Sequence, residues 1–213
     1  MMGREWASEW MKGIWKTRNQ LLISGLMLFL AFLANYYSGR YVDSAATVAV
    51  NDLILDAIPP IDVSFIFIYF FLFTIYSYYI YGLFSNSGKF HYYVSMFALL
   101  AIVRSGFIVL THLQGIPDFV GADFPSGLGF FVYTNDLFFS GHTAFPFMGF
   151  LVFRKRWIKG FFLAASIILG ASTLLMHAHY SIDVFAAFFI AYGVYKIGNK
   201  IFEGRFYRSL ERR

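Results

Sequence analysis

The chain has 213 residues, of which 59% are hydrophobic and only 14% are charged, and its formal net charge is +5. This composition is typical of an integral membrane protein and excludes an ordinary soluble domain. The sequence contains no cysteine, which excludes disulfides, a thiolate nucleophile and a thiolate metal site. Because the basic residues border apolar spans, the positive charge does not indicate binding to nucleic acid.

The N-terminal segment, residues 1–19, interleaves three tryptophans with basic side chains. This pattern predicts a short amphipathic helix that lies in the headgroup layer of a membrane, with a partner-binding helix as the alternative. The first apolar run that follows is too long for a cleavable signal peptide and is not followed by a small-residue cleavage site.

Six apolar runs long enough to cross a bilayer follow one another along the chain. They cover residues 20–38, 61–84, 90–112, 137–153, 157–176 and 182–202. We therefore predict an all-α integral membrane fold, in which residues 20–202 form one domain, a bundle of six transmembrane helices. Residues 203–213 are predicted to form a basic cytoplasmic tail.

The basic residues are unevenly distributed around the predicted spans. Fifteen of the 17 lysines and arginines flank the spans on one side, whereas Arg40 lies in a loop on the other side and Arg104 lies inside the third span. By the positive-inside rule, both termini are cytoplasmic. The sequence thus predicts a multi-pass protein of the plasma (inner) membrane. The loops that lead into the fourth and sixth spans then lie on the extracytoplasmic face.

The fourth span contains the tetrad Ser140, Gly141, His142 and Thr143 near its beginning. Ser140 directly precedes an apolar run and is predicted to cap a helix. The amides of the next three residues would then be unpaired at the positive end of the helix dipole, which is an anion-binding arrangement. Gly141 allows a phosphate oxygen to approach the backbone closely. Ser140, Gly141 and Thr143 are therefore candidate phosphate-binding residues; the alternative is a membrane helix that starts with one interfacial histidine.

His179 and Asp183 are four residues apart where the sixth span begins. On a helix this spacing places both side chains on one face, so that the carboxylate accepts the N–H of one ring nitrogen. The other nitrogen then keeps its lone pair, as a nucleophilic or general-base histidine requires. The alternative is a buried His–Asp hydrogen bond that ties two helices together. Because polar groups at membrane depth are costly, two such motifs in one membrane layer indicate a single phosphate-handling site.

Arg104 lies about two-thirds of the way along the third span, nearer the face that carries His142. A lone arginine inside a span is expected to face the bundle interior and to pair there. A phosphate at the helix start would satisfy its guanidinium in bidentate geometry. The alternative is a structural pair with Asp136 or Asp183, and Asp136 is also a candidate accessory residue of the site. No histidine pair at helical spacing faces a set of carboxylates, so no metal site is predicted.

Two strings carry a family resemblance: DLFFSGHT at residues 136–143 and HAHYSIDV at residues 177–184. They resemble the paired histidine motifs of the type 2 phosphatidic acid phosphatase superfamily, and are most similar to its sphingomyelin synthase branch. The basic motif that precedes SGH in the lipid phosphatases of this superfamily is missing. Thr173 stands where their second-motif arginine would fall. These departures favour phospho-group transfer over ordinary monoester hydrolysis.

The resemblance implies a two-step transfer by a His-His-Asp site that needs no metal or organic cofactor. His179 would attack phosphorus and Asp183 would hold its ring, while His142 would protonate the leaving alcohol and then deprotonate the incoming alcohol or water. Arg104 and the amides near Gly141 would stabilise the charge on the phosphoryl oxygens. The implied partners are the lipid bilayer, a membrane phospholipid as substrate, and a lipid alcohol or water as acceptor.

Two other functions remain open on the sequence. One is a lipid phosphate or polyprenyl pyrophosphate phosphatase, which release of phosphate from monoester substrates would support. The other is a non-catalytic lipid-binding membrane protein that keeps the motifs for packing. In that case alanine at His142 or His179 would change stability, and no turnover would be seen.

We predict that cysteines introduced at Asp123 and Arg208 react from opposite sides of the membrane, because the basic residues flank the spans on one side only. A membrane-impermeant maleimide should label the Asp123→Cys protein in intact cells and the Arg208→Cys protein only after permeabilisation. The unsubstituted chain contains no cysteine and is the unlabelled control. Labelling of both variants from the same side would contradict the topology and, with it, the outward-facing site.

Overall fold

A computed structural model describes residues 2–45, 48–121 and 133–203. Within these residues the chain forms seven α-helices: α1 (Met2–Lys16), α2 (Arg18–Ala45), α3 (Phe71–Ser85), α4 (Phe90–Leu110), α5 (Gly141–Val152), α6 (Arg156–Leu175) and α7 (Ser181–Phe202). A π-helical turn, Ile66–Phe70, leads directly into α3, and short 3-10 turns occupy Leu55–Ala57 and Ser87–Lys89. Asp123, Arg208 and the predicted tail beyond Glu203 lie outside the described residues.

Five helical segments in the described part of the chain are long and apolar enough to cross a membrane. They are Arg18–Ala45, Ile66–Ser85, Ser87–Leu110, Arg156–Leu175 and Ser181–Phe202. They correspond to five of the six predicted spans and confirm the prediction of a helical membrane protein. The first predicted span, residues 20–38, is shorter than the helix. Helix α2 continues to Ala45 through polar residues, which an apolar run does not include.

The predicted fourth span is the exception. Helix α5 begins only at Gly141 and ends at Val152, and its 12 residues make a helix of about 18 Å, shorter than the roughly 30 Å hydrocarbon core of a bilayer. The residues ahead of it are not helical, and Phe138 has a φ of 99°. Leu137 and Phe139 belong to this non-helical stretch and are nevertheless buried. The loop is therefore as apolar as the helix that follows it, and the two together formed the long apolar run from which a longer helix was predicted. The six-span bundle therefore stays a prediction.

Helix α4 lies at the centre of the bundle. Of the most apolar stretch of this helix, 61% is buried inside the protein, whereas only 17% of the corresponding stretch of α2 is buried. It packs against α2, α5 and α7, and α5 packs in turn against α6 and α7. The main hydrophobic core includes Tyr78 of α3, Met96 and Leu100 of α4, Met148 of α5 and Phe162 of α6. The short helix α5 is thus enclosed by longer helices, which places its first turn inside the bundle.

Helix α1 lies against the connection between α3 and α4. The indole N–H of Trp10 donates to the Leu83 carbonyl oxygen at 3.1 Å, and the Ser87 hydroxyl donates to the Trp10 carbonyl oxygen at 3.0 Å. Trp6 and Trp15 remain exposed. The helix predicted for the N-terminal segment is therefore present, whereas its position in the headgroup layer stays a prediction.

We predict that Gly149→Ala destabilises the packing of α5 on α6. A β-carbon at position 149 would lie 2.5 Å from Cδ1 of the fully buried Phe162 ring. Overpacking of this kind costs about 1–3 kcal/mol, so thermal unfolding in detergent should occur at a lower Tm.

Gly160→Ala is the matched control within α6, because a β-carbon there would meet no atom within 4 Å. It should leave Tm unchanged or raise it, since alanine favours the helix over glycine. Equal Tm values for the two variants would contradict the described contact between α5 and α6.

Candidate active site

The tetrad lies where a loop passes into α5. Ser140 is the N-cap residue and has extended backbone angles, φ −63° and ψ 121°, but its side chain makes no capping hydrogen bond. The predicted N-cap position is therefore confirmed, whereas the predicted capping bond is wrong. The backbone N–H of Ser140 donates to the carbonyl oxygen of Asp183 at 3.0 Å. This bond joins the segment that begins α5 to the segment that begins α7.

Arg104 is only 6% exposed, and its guanidinium holds the loop ahead of α5. Its Nε donates to the Phe139 carbonyl oxygen at 3.2 Å, and its Nη2 donates to both the carbonyl oxygen and Oδ2 of Asp136 at 3.0 Å. The structural pair with Asp136, which the sequence left as the alternative, is thus present. The same side chain also lies at the tetrad, since a β-carbon on Gly141 would be 3.4 Å from Arg104 Nε. Arg104 therefore supports the loop whether or not it also contacts a substrate.

His179 and Asp183 are in contact as predicted, although not by stacking on one helix. Helix α7 begins at Ser181, so His179 lies in the preceding turn and Asp183 lies in the first turn of the helix. His179 Nδ1 is 3.2 Å from Asp183 Oδ2, and the same oxygen accepts the backbone N–H of Tyr180 at 3.2 Å. A neutral His179 that donates its Nδ1–H to the carboxylate keeps its lone pair on Nε2.

His142 has partners that lie far from it in the sequence. Its ring stacks on Phe67 with centroids 4.0 Å apart and packs against Phe71 at 4.1 Å. Its Nε2 is buried and has no hydrogen-bond partner among the described residues, which leaves this nitrogen free for proton transfer.

Phe67 lies in the π-helical turn Ile66–Phe70. Such a turn interrupts the regular helical hydrogen-bond pattern and occurs often at functional sites. Apolar periodicity could not reveal it, because the residues Ile66, Phe67, Ile68, Tyr69 and Phe70 read as part of a continuous apolar span. The only signal in the sequence is the density of aromatic residues, which is common to the whole chain.

Four buried side-chain atoms of the two motifs have no hydrogen-bond partner within the described residues: Ser140 Oγ, His142 Nε2, Thr143 Oγ1 and Asp183 Oδ1. Buried polar atoms are normally paired, because an unpaired one costs about 1–3 kcal/mol. The Thr143 hydroxyl lies against Gly170 of α6, where a β-carbon would be 3.0 Å away, so this side chain is turned into helix packing. The structure therefore does not direct the Thr143 side chain to the site, contrary to the predicted phosphate-binding role. The unpaired atoms of Ser140, His142 and Asp183 belong to the two segments that the bond from Ser140 N–H to the Asp183 carbonyl oxygen joins.

Two loops, which contain Val50 and Gln114, contact the turn between α6 and α7. The Tyr180 hydroxyl donates to the Gln114 carbonyl oxygen at 3.1 Å and accepts the Val50 N–H at 3.2 Å. His177 has a φ of 56°, and its Nε2 lies 3.2 Å from the Ile58 carbonyl oxygen. These contacts hold the turn on both sides of His179, and they direct the His177 side chain to a loop residue.

Asp52 supports the same turn and was not singled out by the sequence. Its Oδ2 accepts the Ser181 N–H at 2.7 Å, and its Oδ1 accepts the N–H groups of Ile54 and Leu55 at 2.9 and 3.1 Å. Burial alone raises the pKa of the Asp52 carboxyl, but the hydrogen bonds from the Leu55 and Ser181 amides outweigh burial and hold this pKa below its ordinary value. The residue lies in an irregular loop, where no periodic pattern relates it to α7.

Comparison with known families gives one match. Residues 134–200 match a family model described as PAP2 superfamily C-terminal, a stretch that contains both histidine motifs and begins after α4. No curated protein and no solved structure matches the chain. The match supports the type 2 phosphatidic acid phosphatase superfamily, and it fits a membrane phosphatase or phosphotransferase that acts on lipid phosphates.

We predict that Asp52→Asn destabilises the protein at neutral pH. Asparagine keeps the size of the side chain but loses the charge that three amides and the start of α7 stabilise, a loss on the order of 1–3 kcal/mol. Because the pKa of Asp52 is lower in the folded state, its contribution is fully present above the unfolded pKa of about 3.9 and is lost as the pH falls through the folded pKa.

Measurements of Tm between pH 7 and pH 3 should therefore show a difference between wild type and Asp52→Asn that closes below about pH 4. Asp56→Asn is the control in the same loop, because the Asp56 carboxylate makes no hydrogen bond within the described residues. A difference for Asp52→Asn that stays constant over this pH range would contradict the role of its charge.

Proposed function

We propose that this protein transfers a phospho-head-group from a membrane phospholipid to a lipid alcohol or to water, with His142, His179 and Asp183 as catalytic residues. The observation that carries the proposal is the convergence of the two motif segments. They are joined by the bond from Ser140 N–H to the Asp183 carbonyl oxygen, and three of their buried polar atoms, Ser140 Oγ, His142 Nε2 and Asp183 Oδ1, have no partner among the described residues. A bound phosphate ester offers several acceptor oxygens to the donors among them.

In the first half-reaction His179 acts as the nucleophile. Its Nε2 attacks phosphorus, the bond from phosphorus to the alcohol oxygen breaks, and a phosphorus–nitrogen bond forms. Asp183, 3.2 Å from Nδ1, stabilises the positive charge that the ring acquires. His142 enters this step protonated and gives the proton on Nε2 to the departing alkoxide, such as that of diacylglycerol.

In the second half-reaction His142 acts as the base. Its neutral Nε2 takes the proton of the incoming alcohol or water, the new oxygen attacks phosphorus, and the phosphorus–nitrogen bond to His179 breaks. A lipid alcohol as acceptor gives a new phospholipid, whereas water gives the free phosphorylated head group. The buried Nε2 of His142 supports this role, because it has no hydrogen-bond partner among the described residues.

The start of α5 is proposed to bind the phosphoryl oxygens. The amides near Gly141 stand at the positive end of the helix, and Arg104 lies beside this glycine. Two nitrogens of Arg104 already hold Phe139 and Asp136. Its Nη1, which is 3.5 Å from Asn35 Oδ1, has the weakest contact and is the group we assign to the phosphate. Asp136 is then an accessory residue that positions the arginine.

The sphingomyelin synthase branch is the part of the superfamily that we propose for this chain. Its support is the pair of motif strings, together with the missing basic motif of the lipid phosphatases. We further propose that α5 and the loop ahead of it form a short sixth membrane element, and that α1 lies in the headgroup layer. The distribution of basic residues supports cytoplasmic termini and an extracytoplasmic site.

Lipid mass spectrometry of membranes incubated with and without the purified protein tests this function. Transfer predicts a new phospholipid and diacylglycerol in equal amounts, and hydrolysis of the diester predicts diacylglycerol and a soluble phosphorylated head group. Release of inorganic phosphate from monoester lipids would instead identify the phosphatase activity that the family match also fits. Identical lipid profiles for wild type and His179→Ala would contradict an enzymatic role.

We predict that the two histidines differ in the formation of a phospho-enzyme. His179→Ala should form none with any substrate. His142→Ala should retain measurable formation with a nitrophenyl phosphodiester, because its acidic leaving group departs without a proton. Trapping with a labelled diester and an alkaline quench measures both, since the phosphorus–nitrogen bond is labile in acid.

His112→Ala is the control for these variants, because His112 pairs with Tyr41 at the outer end of α4 and should trap label as the wild type does. Label on His179→Ala but not on His142→Ala would reverse the two roles. If the wild type traps no label, the group passes directly from donor to acceptor and the covalent step is wrong.

A further inference from the structure

A polar cavity lies at the opposite end of the bundle from the histidines. It has a volume of about 560 Å³ and lies between the end of α3, the start of α4, the connection from α5 to α6 and the end of α7. Val152 at the end of α5 lines this cavity, whereas His142 belongs to the first turn of the same helix. Ten residues of helix, about 15 Å, separate the two, so the cavity is distinct from the candidate active site.

Cations dominate the charged lining of this cavity: Lys89, Arg154, Lys155 and Lys159, with the single carboxylate of Glu203. Lys89 Nζ lies 3.6 Å from Glu203 Oε1. No ion pair forms at Arg154, Lys155 or Lys159 within the described residues. Lys159 Nζ lies over the neutral ring of Phe150, 4.3 Å from its centroid. Cations that lack a carboxylate partner around a concave space raise the local positive potential and favour an anion there.

Helix α6 begins beside this cavity, at Arg156 after the extended residue Lys155. The positive end of its helix dipole therefore lies next to Lys155, which lines the cavity. Helix α4 adds no free amide of this kind, because the Phe90 N–H donates to the Ser87 carbonyl oxygen of the preceding 3-10 turn.

We propose that this cavity binds a phosphate-bearing anion. A phosphate supplies the negative charge and the acceptor oxygens that the lysine ammonium groups and the Arg154 guanidinium match, and Arg154 can bind two of those oxygens at once. The volume is within the range of sites that hold a small molecule or a head group. Two sources share this chemistry: the head group of an anionic phospholipid, and a free phosphate compound in solution.

The surroundings of the cavity suit an anchored ligand at a membrane surface. Tyr81 lines the cavity, and its ring packs edge-on against Trp157 with centroids 5.6 Å apart. Trp157 is exposed, and tryptophan next to basic residues is typical of the boundary between lipid and water. An anion bound here would bridge α4 to the connection between α5 and α6, and would thereby hold the far end of the helix that begins beside His142.

Binding to the full chain in detergent tests the proposal, with two probes and one matched pair of variants. The probes are dioctanoyl phosphatidylglycerol and inorganic phosphate, and dioctanoyl glycerol is the phosphate-free control. Arg154→Gln removes a cation that lines the cavity. Arg156→Gln removes the same charge two residues away, from an exposed side chain that does not line it. All proteins carry His179→Ala so that turnover cannot consume the lipid.

We expect Arg154→Gln to weaken binding of the phosphatidylglycerol about tenfold, the effect of losing a charged hydrogen bond, and Arg156→Gln to change it by less than about twofold. Tm without ligand should be equal for both variants, which excludes unfolding as the cause. Equal weakening by both variants, or no effect of Arg154→Gln, would overturn the proposal, as would equally tight binding of dioctanoyl glycerol. Lipid binding at least about tenfold tighter than phosphate binding identifies a lipid head group, and comparable affinities identify a free anion.

Discussion

The guanidinium of Arg104 donates to the carbonyl oxygens of Asp136 and Phe139, and the position of the candidate site depends on these bonds. Non-helical backbone is tolerated inside a membrane bundle only where the protein itself satisfies its polar groups. Thr111, at the end of α4, supports the same loop by donating to another of its carbonyl oxygens at 3.2 Å. Because the loop is satisfied in this way, α5 can begin at the buried Gly141 and its first turn can face the interior.

The two histidines have different surroundings, and the difference fits the division of labour that we propose. His179 contacts the Asp183 carboxylate, which favours a positive ring and suits a nucleophile that becomes an imidazolium. His142 packs against the rings of Phe67 and Phe71. Neutral partners such as these orient the ring without binding its proton tightly, as an acid that must release the proton requires.

Hydropathy predicted five helices of this bundle, because an uninterrupted apolar run of this length has few alternatives to a helix in a membrane, although it ended the first of them seven residues before Ala45. It overestimated the length of the fourth helix, because the run from Leu137 to Phe153 contains both a buried loop and a helix. Burial makes both segments apolar, so composition cannot separate them. The only sign in the sequence of the boundary between loop and helix was Ser140, a residue type that often caps helices. In the structure Ser140 is the N-cap residue of α5, but its side chain makes no capping hydrogen bond.

The sequence by itself determined the membrane class of this protein, the identity of the polar residues in its apolar spans, and the contact between His179 and Asp183, which are four residues apart. The tertiary structure alone decided which distant groups complete the site. It brings Phe67 to His142, it pairs Arg104 with Asp136, and it places the Asp52 carboxylate on an amide 129 residues away at the start of α7. The physical reason is range: spacing rules relate side chains within a turn or two of one helix, whereas contacts between helices and loops follow from how the whole bundle packs.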